Sequence, residues 1–151
     1  MSGAVLLALA ALPLAGPRTA PAPPIATVTI STPRGESRIP VVVGPNGAPM
    51  LPAGALATAL SARLAVAGPW AELTVATLPF RFLLDAPFGL HADRVDPLAA
   101  AAYTAADTVY LPLEFVASVL PHTLVELYAW DPVPARLVER EPAVVRAPPV
   151  K

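Results

Sequence analysis

The sequence predicts an α+β domain in which two copies of a small strand–helix–strand–strand unit place short antiparallel strands in a curved sheet with two short helices. The first observation is a repeated block, since residues 51–60 (LPAGALATAL) are followed 60 positions later by residues 111–120 (LPLEFVASVL). The second is the content of 21 prolines in 151 residues, which disfavours long helices and long central strands. The third is a series of short stretches in which apolar and polar residues alternate, as in half-buried strands.

The repeated block matches at apolar positions and at a proline. The matched positions are Leu51, Pro52, Leu56 and Leu60 in the first copy, and Leu111, Pro112, Val116 and Leu120 in the second. The only two tryptophans, Trp70 and Trp130, lie at the same offset. Self-similarity at a fixed period is typical of duplicated structural units. We therefore expect a repeat domain at 38–140, with copies at about 38–77 and 103–140.

The N-terminal region has the pattern of a secretory signal peptide. The apolar run Ala4–Leu14 has the length of a signal-peptide hydrophobic region and is short for a membrane span. Small residues follow between Ala15 and Ala22, where cleavage is expected. Residues 1–22 are therefore predicted to be a signal peptide, which places the mature protein in the periplasm or the extracellular space. A buried N-terminal helix and an uncleaved anchor are the alternatives.

Proline-rich segments flank the predicted domain. Residues 23–37 are expected to contain a Pro-rich linker and the first strand, Thr27–Ser31, where apolar residues alternate with polar ones. Residues 141–151 form a second Pro-rich segment, which favours an extended polyproline conformation. This tail is either a frayed end or a linker to a further domain.

The first half of the domain combines short strands with one helix. A strand is predicted at 39–43, and Asn-Gly at 46–47 predicts a type I′ hairpin turn that folds it back on the following residues. Pro52 is expected in the first turn of a helix, where its missing N–H costs nothing. Apolar residues at helical spacing continue this helix towards Ala67, and Gly-Pro at 68–69 ends it.

The middle of the domain continues the strand-rich pattern. Strands are predicted at 72–77 and 78–84 from the alternation of apolar and polar residues. After a turn, Phe88, Leu90 and Ala92 are expected to face the core from a further strand.

The last third is expected to repeat the first unit. The pattern at 96–107 does not distinguish a helical turn from a loop. A short strand is predicted at 109–111. Pro112 begins a second helix and Pro121 ends it. A final hairpin is predicted within 124–140 around a Pro-rich turn.

This order of elements resembles the copper amine oxidase-like N-terminal domain, also called the stalk domain, of secreted bacterial proteins. The resemblance is carried by residues 110–113 (YLPL), by the helix ending at Leu120 and by Trp-Asp at 130–131. Leu-Pro at 51–52 and Trp70 resemble the same motifs in the first copy, where Ala71 stands in the place of Asp131. Such domains often precede N-acetylmuramoyl-L-alanine amidases, so the resemblance implies a role at the bacterial cell wall.

Composition excludes several classes of partner and site. The formal net charge is −1 at pH 7, so a broad basic surface for nucleic acid is absent from the sequence. The chain contains no cysteine, which excludes disulfides and thiolate metal ligands. We expect no nucleic-acid partner, no membrane association after signal cleavage, and leave the oligomeric state open.

The histidines and nearby carboxylates are the only candidates for a metal site. The set consists of His91 and His122 with Asp93, Asp96, Glu114 and Glu126. His91 and Asp93 share a strand face by parity, but no two ligand types recur at i, i+3 or i+4 on a convincing helix. We interpret these residues as solvated surface residues and predict neither a metal site nor a cofactor.

No catalytic constellation stands out in the sequence. Asp93 and Asp96 flank Arg94, and local pairing with Arg94 or turn capping is favoured over a general acid–base pair. The serines lack the G-x-S-x-G context of a nucleophile elbow. We therefore predict no catalytic residues.

Aromatic residues are the remaining candidates for ligand contact. The set is Trp70, Tyr103, Tyr110, Tyr128 and Trp130. By alternation Tyr128 and Trp130 share one face of a strand, where they either stack on a sugar or fill the core between the copies, and core packing is favoured.

These observations predict a non-catalytic exported cell-envelope module. It would bind or position a cell-wall component such as peptidoglycan, another envelope protein or an attached hydrolase. The first alternative is the non-catalytic N-terminal part of a peptidoglycan N-acetylmuramoyl-L-alanine amidase whose zinc domain lies outside this chain. The second is a periplasmic adaptor or inhibitor that binds a partner protein through a sheet edge.

Overall fold

The computed structural model describes residues 25–141. The predicted signal peptide, the start of the linker and residues 142–151 of the predicted tail lie outside this range. Within it, 52% of the residues are in strands, and the only regular helices are two short ones. The described part is therefore mainly β, with less helix than the α+β expectation implied.

The described residues contain thirteen strands. The first half comprises β1 (Thr27–Thr32), β2 (Gly35–Pro40), β3 (Val42–Val43), β4 (Pro49–Pro52), α1 (Ala53–Leu60), β5 (Arg63–Ala67) and β6 (Trp70–Val75). The second half comprises β7 (Leu78–Leu83), β8 (Phe88–His91), β9 (Arg94–Pro97), β10 (Tyr103–Ala105), β11 (Thr108–Pro112), a π-helical turn (Phe115–Val119), α2 (Leu120–Thr123), β12 (Tyr128–Pro132) and β13 (Ala135–Glu139).

The strands of residues 25–141 form three short sheets. Their orders are β12-β13-β1-β2, β10-β11-β4-β3 and β5-β6-β7-β8-β9. Neighbouring strands are antiparallel except β1 and β13, which pair in parallel with Thr29 opposite Arg136. This parallel pair joins the beginning and the end of the domain, so the two ends stabilise each other.

One apolar core lies between the sheets and the helical segments. Leu56 of α1 and Val116 of the π-helical turn are both fully buried. The Phe115 ring packs edge-on against Phe80 and Phe82, with ring centroids 5.1 and 5.2 Å apart. The core therefore joins both halves of the chain.

The hairpin predicted at Asn46-Gly47 is present, but its turn differs from the predicted type. β3 pairs with β4, and the Gly47 amide donates to the Gly44 carbonyl oxygen at 3.0 Å. Only Gly47 has a positive φ, of +76°, whereas a type I′ turn needs two such residues. The turn fits a type I turn followed by a glycine bulge, because Pro45 is its second residue and Gly47, its fourth, has the positive φ.

The first helix is shorter than predicted. Ser61 adopts a left-handed conformation with φ of 52°, and its amide bonds back to the last turn of α1. The chain then enters β5, which contains Leu64, so the apolar stripe expected to continue to Ala67 belongs to a strand. Gly68, expected to end the helix, instead lies in the turn between β5 and β6.

Two other local predictions need correction. In β8 the buried residues are Gly89 and His91, so the expected inward set of Phe88, Leu90 and Ala92 is out of register by one. The second helix does not end at Pro121, because α2 continues to Thr123.

Several predicted elements are confirmed in the described range. β1, β7 and β11 occupy the predicted places, and the final hairpin is formed by β12 and β13. β6 begins and ends two residues before the strand predicted at 72–77, and the strand predicted at 39–43 is divided between β2 and β3. The undecided segment 96–107 contains the end of β9, an irregular stretch and β10.

Candidate functional site

Of the aromatic residues named from the sequence, Tyr128 and Trp130 lie against the core. Tyr128 starts β12 and is 3% exposed, and Trp130 is half-buried against the core cluster. Burial and the nearby Glu139 carboxylate raise the pKa of Tyr128 to about 12, against a smaller opposing effect of Arg34. A ring buried to this degree offers no open face to a sugar, so the core alternative fits the geometry.

His91 lies in a different environment from the one predicted. It is 8% exposed at the end of β8, where its ring centroid is 5.5 Å from that of Phe80. Its Nδ1 contacts Oδ2 of Asp96. Asp96 lies on the neighbouring strand β9, and its side chain projects from the same face of the sheet as that of His91. The expectation of a solvated His91 is therefore wrong, because the register of β8 turns this side chain towards the core. Asp96 pairs with His91 rather than with Arg94.

The two histidines line one open cavity of about 470 Å³. His122, exposed in α2, engages the Ser118 carbonyl oxygen through Nδ1 at 2.8 Å. Asp93 and Arg94 also line the cavity and are exposed. Among the residues of the described range, no three His, Cys, Asp or Glu side chains are grouped closely enough to hold a metal ion.

The remaining carboxylates of the predicted set do not converge. Glu114 Oε2 accepts a hydrogen bond from the Ala99 amide at 2.6 Å, which ties the start of the second helix to the irregular stretch after β9. Glu126 is exposed in the turn before β12. These contacts hold loops in place and do not create a shared ligand set.

The matched residues of the repeated block occupy the centre of the fold. Leu51 and Leu111 lie directly opposite each other in the pair β4–β11, and both are fully buried. Leu56, Leu60, Val116 and Leu120 are also buried. Pro112 is buried and Pro52 half-buried, each at the end of a strand.

Tyr103 and Tyr110, both in the aromatic set named from the sequence, form a stacked pair that the sequence did not predict. Tyr103 of β10 lies opposite Tyr110 of β11, with ring centroids 5.0 Å apart and an interplanar angle of 19°. Both side chains are half-buried. Partial burial, and then the adjacent Tyr110 phenol, raise the pKa of Tyr103, so its hydroxyl stays protonated at neutral pH. The hairpin turn between the two tyrosines was the signal that could have paired them.

Tyr103 also lines a small recess of about 180 Å³ next to this pair. The recess is bounded by the β3–β4 loop with Asn46, by Met50, by Asp85 and by Ala100. Asp85 has a left-handed backbone with φ of +66°, and its amide donates to the Ala102 carbonyl oxygen at 2.7 Å. This bond ties Asp85 to the residue before Tyr103, so the polar and aromatic walls are held together.

The chemistry of this recess suits binding better than bond breaking. Asp85 and Asn46 are exposed, and no hydrogen bond or ion pair found within residues 25–141 uses either side chain. Asp85 is the one charged residue among the described residues that line the recess. Carboxylate and amide groups beside an aromatic ring can orient a neutral polar ligand.

A separate apolar cavity of about 480 Å³ lies at the start of the described chain. Its walls include Ile25, Val41, Val43, Pro49 and Leu113. Val43 is 72% exposed. No polar side chain lines it in the described part, so it supplies no catalytic group.

Comparison of the chain with protein-family models, with curated proteins and with solved structures found no match. Within residues 25–141, no helix has both the length and the apolar character that crossing a membrane requires.

Proposed function

We propose that the protein is an exported, non-catalytic module of the cell envelope that binds or positions a cell-wall component. The observation that supports binding is the recess in which Tyr103 stands beside Asn46 and Asp85, whose side chains form no hydrogen bond or ion pair with any residue of 25–141. Such a mixture of an aromatic surface and a few polar groups is typical of ligand sites. Export is supported by the sequence pattern of residues 1–22.

The surroundings of His91 support a structural role for the His91–Asp96 pair. The pair His91–Asp96 resembles the base and orienting carboxylate of a hydrolase. A catalytic base also needs a nucleophile or water within hydrogen-bond distance. No hydrogen bond within the described residues joins His91 to a serine or threonine, and its ring packs on Phe80.

We also propose that two copies of one unit share the core. The central sheet supports this, because its order β10-β11-β4-β3 is unchanged when the two halves are exchanged. Leu51 lies opposite Leu111, and the flanking pairs Met50–Pro112 and Pro52–Tyr110 interchange under the same exchange. The other two sheets extend the correspondence, since β12-β13-β1-β2 matches β5-β6-β8-β9 once β7 is set aside.

The boundaries of the proposed copies differ from those expected from the sequence. The hairpins β1–β2 and β8–β9 both have two-residue connections, at 33–34 and 92–93. Each hairpin also forms one end of its sheet. We therefore assign the copies to 27–75 and 88–139, with β7 between them. β6 and β8 are each antiparallel to β7 and so run parallel to each other, as β13 and β1 do.

The two tryptophans are not equivalent in this scheme. β5 begins three residues after Leu60, whereas β12 begins eight residues after Leu120. Trp130 lies in the middle of β12, which corresponds to β5, while Trp70 begins β6. Their equal offset is therefore a coincidence, and the stalk-domain resemblance that we propose depends on the Leu-Pro steps instead.

A second candidate function is supported by the edge of one sheet. β5 pairs only with β6 and is otherwise unpaired in the described part, and Val66 on it is 53% exposed. An exposed edge strand can accept an extended peptide. This feature favours the adaptor alternative, in which the partner is a protein.

The proposed function is tested by fractionation followed by sedimentation with purified peptidoglycan sacculi. We expect the protein in the envelope fraction, with a mature N-terminus between Ala15 and Ile25, and saturable sedimentation with sacculi. Insoluble cellulose is the control matrix, and it should retain little protein.

Two results would contradict the proposal. Intact Met1 on a cytoplasmic species would exclude export by a cleaved signal. Protein that stays in the supernatant at every sacculus concentration, but is captured by a defined envelope protein, would favour the adaptor.

A further inference from the structure

We propose that the recess beside Tyr103 is a saccharide site that takes a neutral N-acetylhexosamine unit of a glycan strand. This inference rests on the proposed function and names the part of the cell wall that is recognised. The sugar would lie against the Tyr103 ring, with its polar groups directed to Asp85 and Asn46.

The aromatic contact is preorganised by the neighbouring strand. Tyr110 covers one face of Tyr103 in a near-parallel stack at 5.0 Å, so the ring cannot turn freely. The C–H faces of a pyranose ring pack on aromatic rings because the apolar hydrogens meet the negative π face. A ring fixed before binding loses little conformational freedom when the ligand arrives.

The polar groups of the recess match hydroxyl and acetamido groups. The Asp85 carboxylate is acceptor-only and can receive bonds from two hydroxyl groups, whereas the Asn46 amide both donates and accepts. Neither is used in a hydrogen bond or ion pair found within the described range, so binding need not break an existing one. The Asp85 amide is bonded to Ala102, which fixes the backbone from which the carboxylate projects.

The charge of the recess selects against anionic ligands. Within the described part of the chain, no Lys, Arg or His lines it, and Asp85 contributes a negative charge. A phosphate or a free carboxylate would be repelled there, because like charges at close range are unfavourable. A neutral N-acetylglucosamine unit fits better than a sugar with a free acidic substituent or the carboxylate end of a peptide stem.

The volume of the recess limits how much of the ligand it can hold. About 180 Å³ is enough for part of one sugar ring, with neighbouring units outside. Binding to a single unit is therefore expected to be weak.

The test is a calorimetric titration of the mature protein with the β-1,4-linked tetramer of N-acetylglucosamine. We expect measurable binding that Tyr103→Ala weakens about tenfold or more, through loss of the stacked ring. Tyr103→Phe keeps the ring and should lose about threefold or less.

Asp85→Asn supplies a second test with a matched control. Asparagine tolerates the left-handed backbone of position 85, so the fold should be kept. We expect about fivefold or greater loss of tetramer binding. Asp107→Asn makes the same change at another exposed left-handed position, with φ of 63°, that does not line the recess, and its binding should be unchanged.

The outcomes separate this inference from the proposed function. Absence of tetramer binding, or equal binding by the parent, Tyr103→Ala and Asp85→Asn proteins, would overturn the saccharide site. If sacculi still sediment the protein and excess tetramer does not compete, the glycan assignment is wrong and the envelope function stands. If neither ligand is bound, both fail.

Discussion

Tyr128 combines a buried ring with an ionisable hydroxyl group. Its pKa is raised to about 12, first by burial and then by the Glu139 carboxylate. The ordinary pKa of tyrosine is about 10, so the unfolded chain loses this proton at a lower pH than the folded protein. The contribution to stability is therefore complete below about pH 10 and is lost as the pH rises towards about 12.

We expect the Tyr128→Phe variant to show a flatter loss of stability between pH 10 and pH 12 than the parent protein. Phenylalanine keeps the buried ring and removes the titrating group. Urea unfolding at several pH values measures this difference. Parallel slopes for the two proteins above pH 10 would show that Tyr128 does not carry the effect.

The burial of Tyr128 could be predicted from the sequence, whereas the burial of His91 could not. The alternation of β12 indicated that Tyr128 and Trp130 share a face, and core packing was already the favoured interpretation. The burial of His91 was missed, because the register of β8 after the turn at 85–87 is set by pairing with β7 and not by its own pattern. A one-residue shift reverses every side chain of a strand.

Among the elements, the β3–β4 hairpin and α1 offer a matched pair of glycines. Gly47 has a φ of +76°, and Gly54 lies in α1. A Cβ added at either glycine meets no atom within 4 Å, so a difference between the two substitutions reports backbone conformation alone.

Gly47→Ala is expected to destabilise the protein by about 1 kcal/mol, since alanine adopts a left-handed conformation with strain. Gly54→Ala is expected to stabilise it by about 0.5–1 kcal/mol, because alanine loses less backbone freedom in a helix. Denaturant titration of both variants checks the signs. A gain of stability for Gly47→Ala would contradict the assigned turn.

The ends of the helices were less predictable than their beginnings. Pro52 and Pro112 each mark where a helical segment starts, but each is the last residue of a strand and lies just before the first turn in which proline was expected. The end of α1 depends on Ser61 in a left-handed conformation, for which serine is not a usual signal. Leu64 then continues the helical spacing by chance from within a strand.

The second helical segment differs for a related reason. Pro121 was expected to end it, because proline lacks the N–H that continues a helix. Instead the wide π-helical turn Phe115–Val119 precedes Pro121, and one further α-turn follows. Wide turns of this kind are rare, so the sequence alone does not predict one.

At the scale of the whole molecule, the two matched blocks predicted the centre of the fold but not its periphery. Leu51 and Leu111 meet in the central sheet, as equivalent positions of two copies would. The place of β7 between β6 and β8 and the parallel pair β1–β13 were not predicted, because pairing between distant strands leaves no local pattern. The recess at Tyr103 was not predicted from the sequence for the same reason, since Asp85 and Asn46 belong to separate loops.

The central proposal, that two copies share one core, is tested most directly by denaturant unfolding of Leu56→Ala and Val116→Ala. Both side chains are fully buried, so Leu56→Ala should cost about 2–5 kcal/mol and Val116→Ala somewhat less. Each variant should unfold in a single transition. Arg63→Ala, at the exposed start of β5, is the control and should stay within about 0.5 kcal/mol of the parent. If Leu56→Ala and Val116→Ala also stay within about 0.5 kcal/mol, the shared core is wrong.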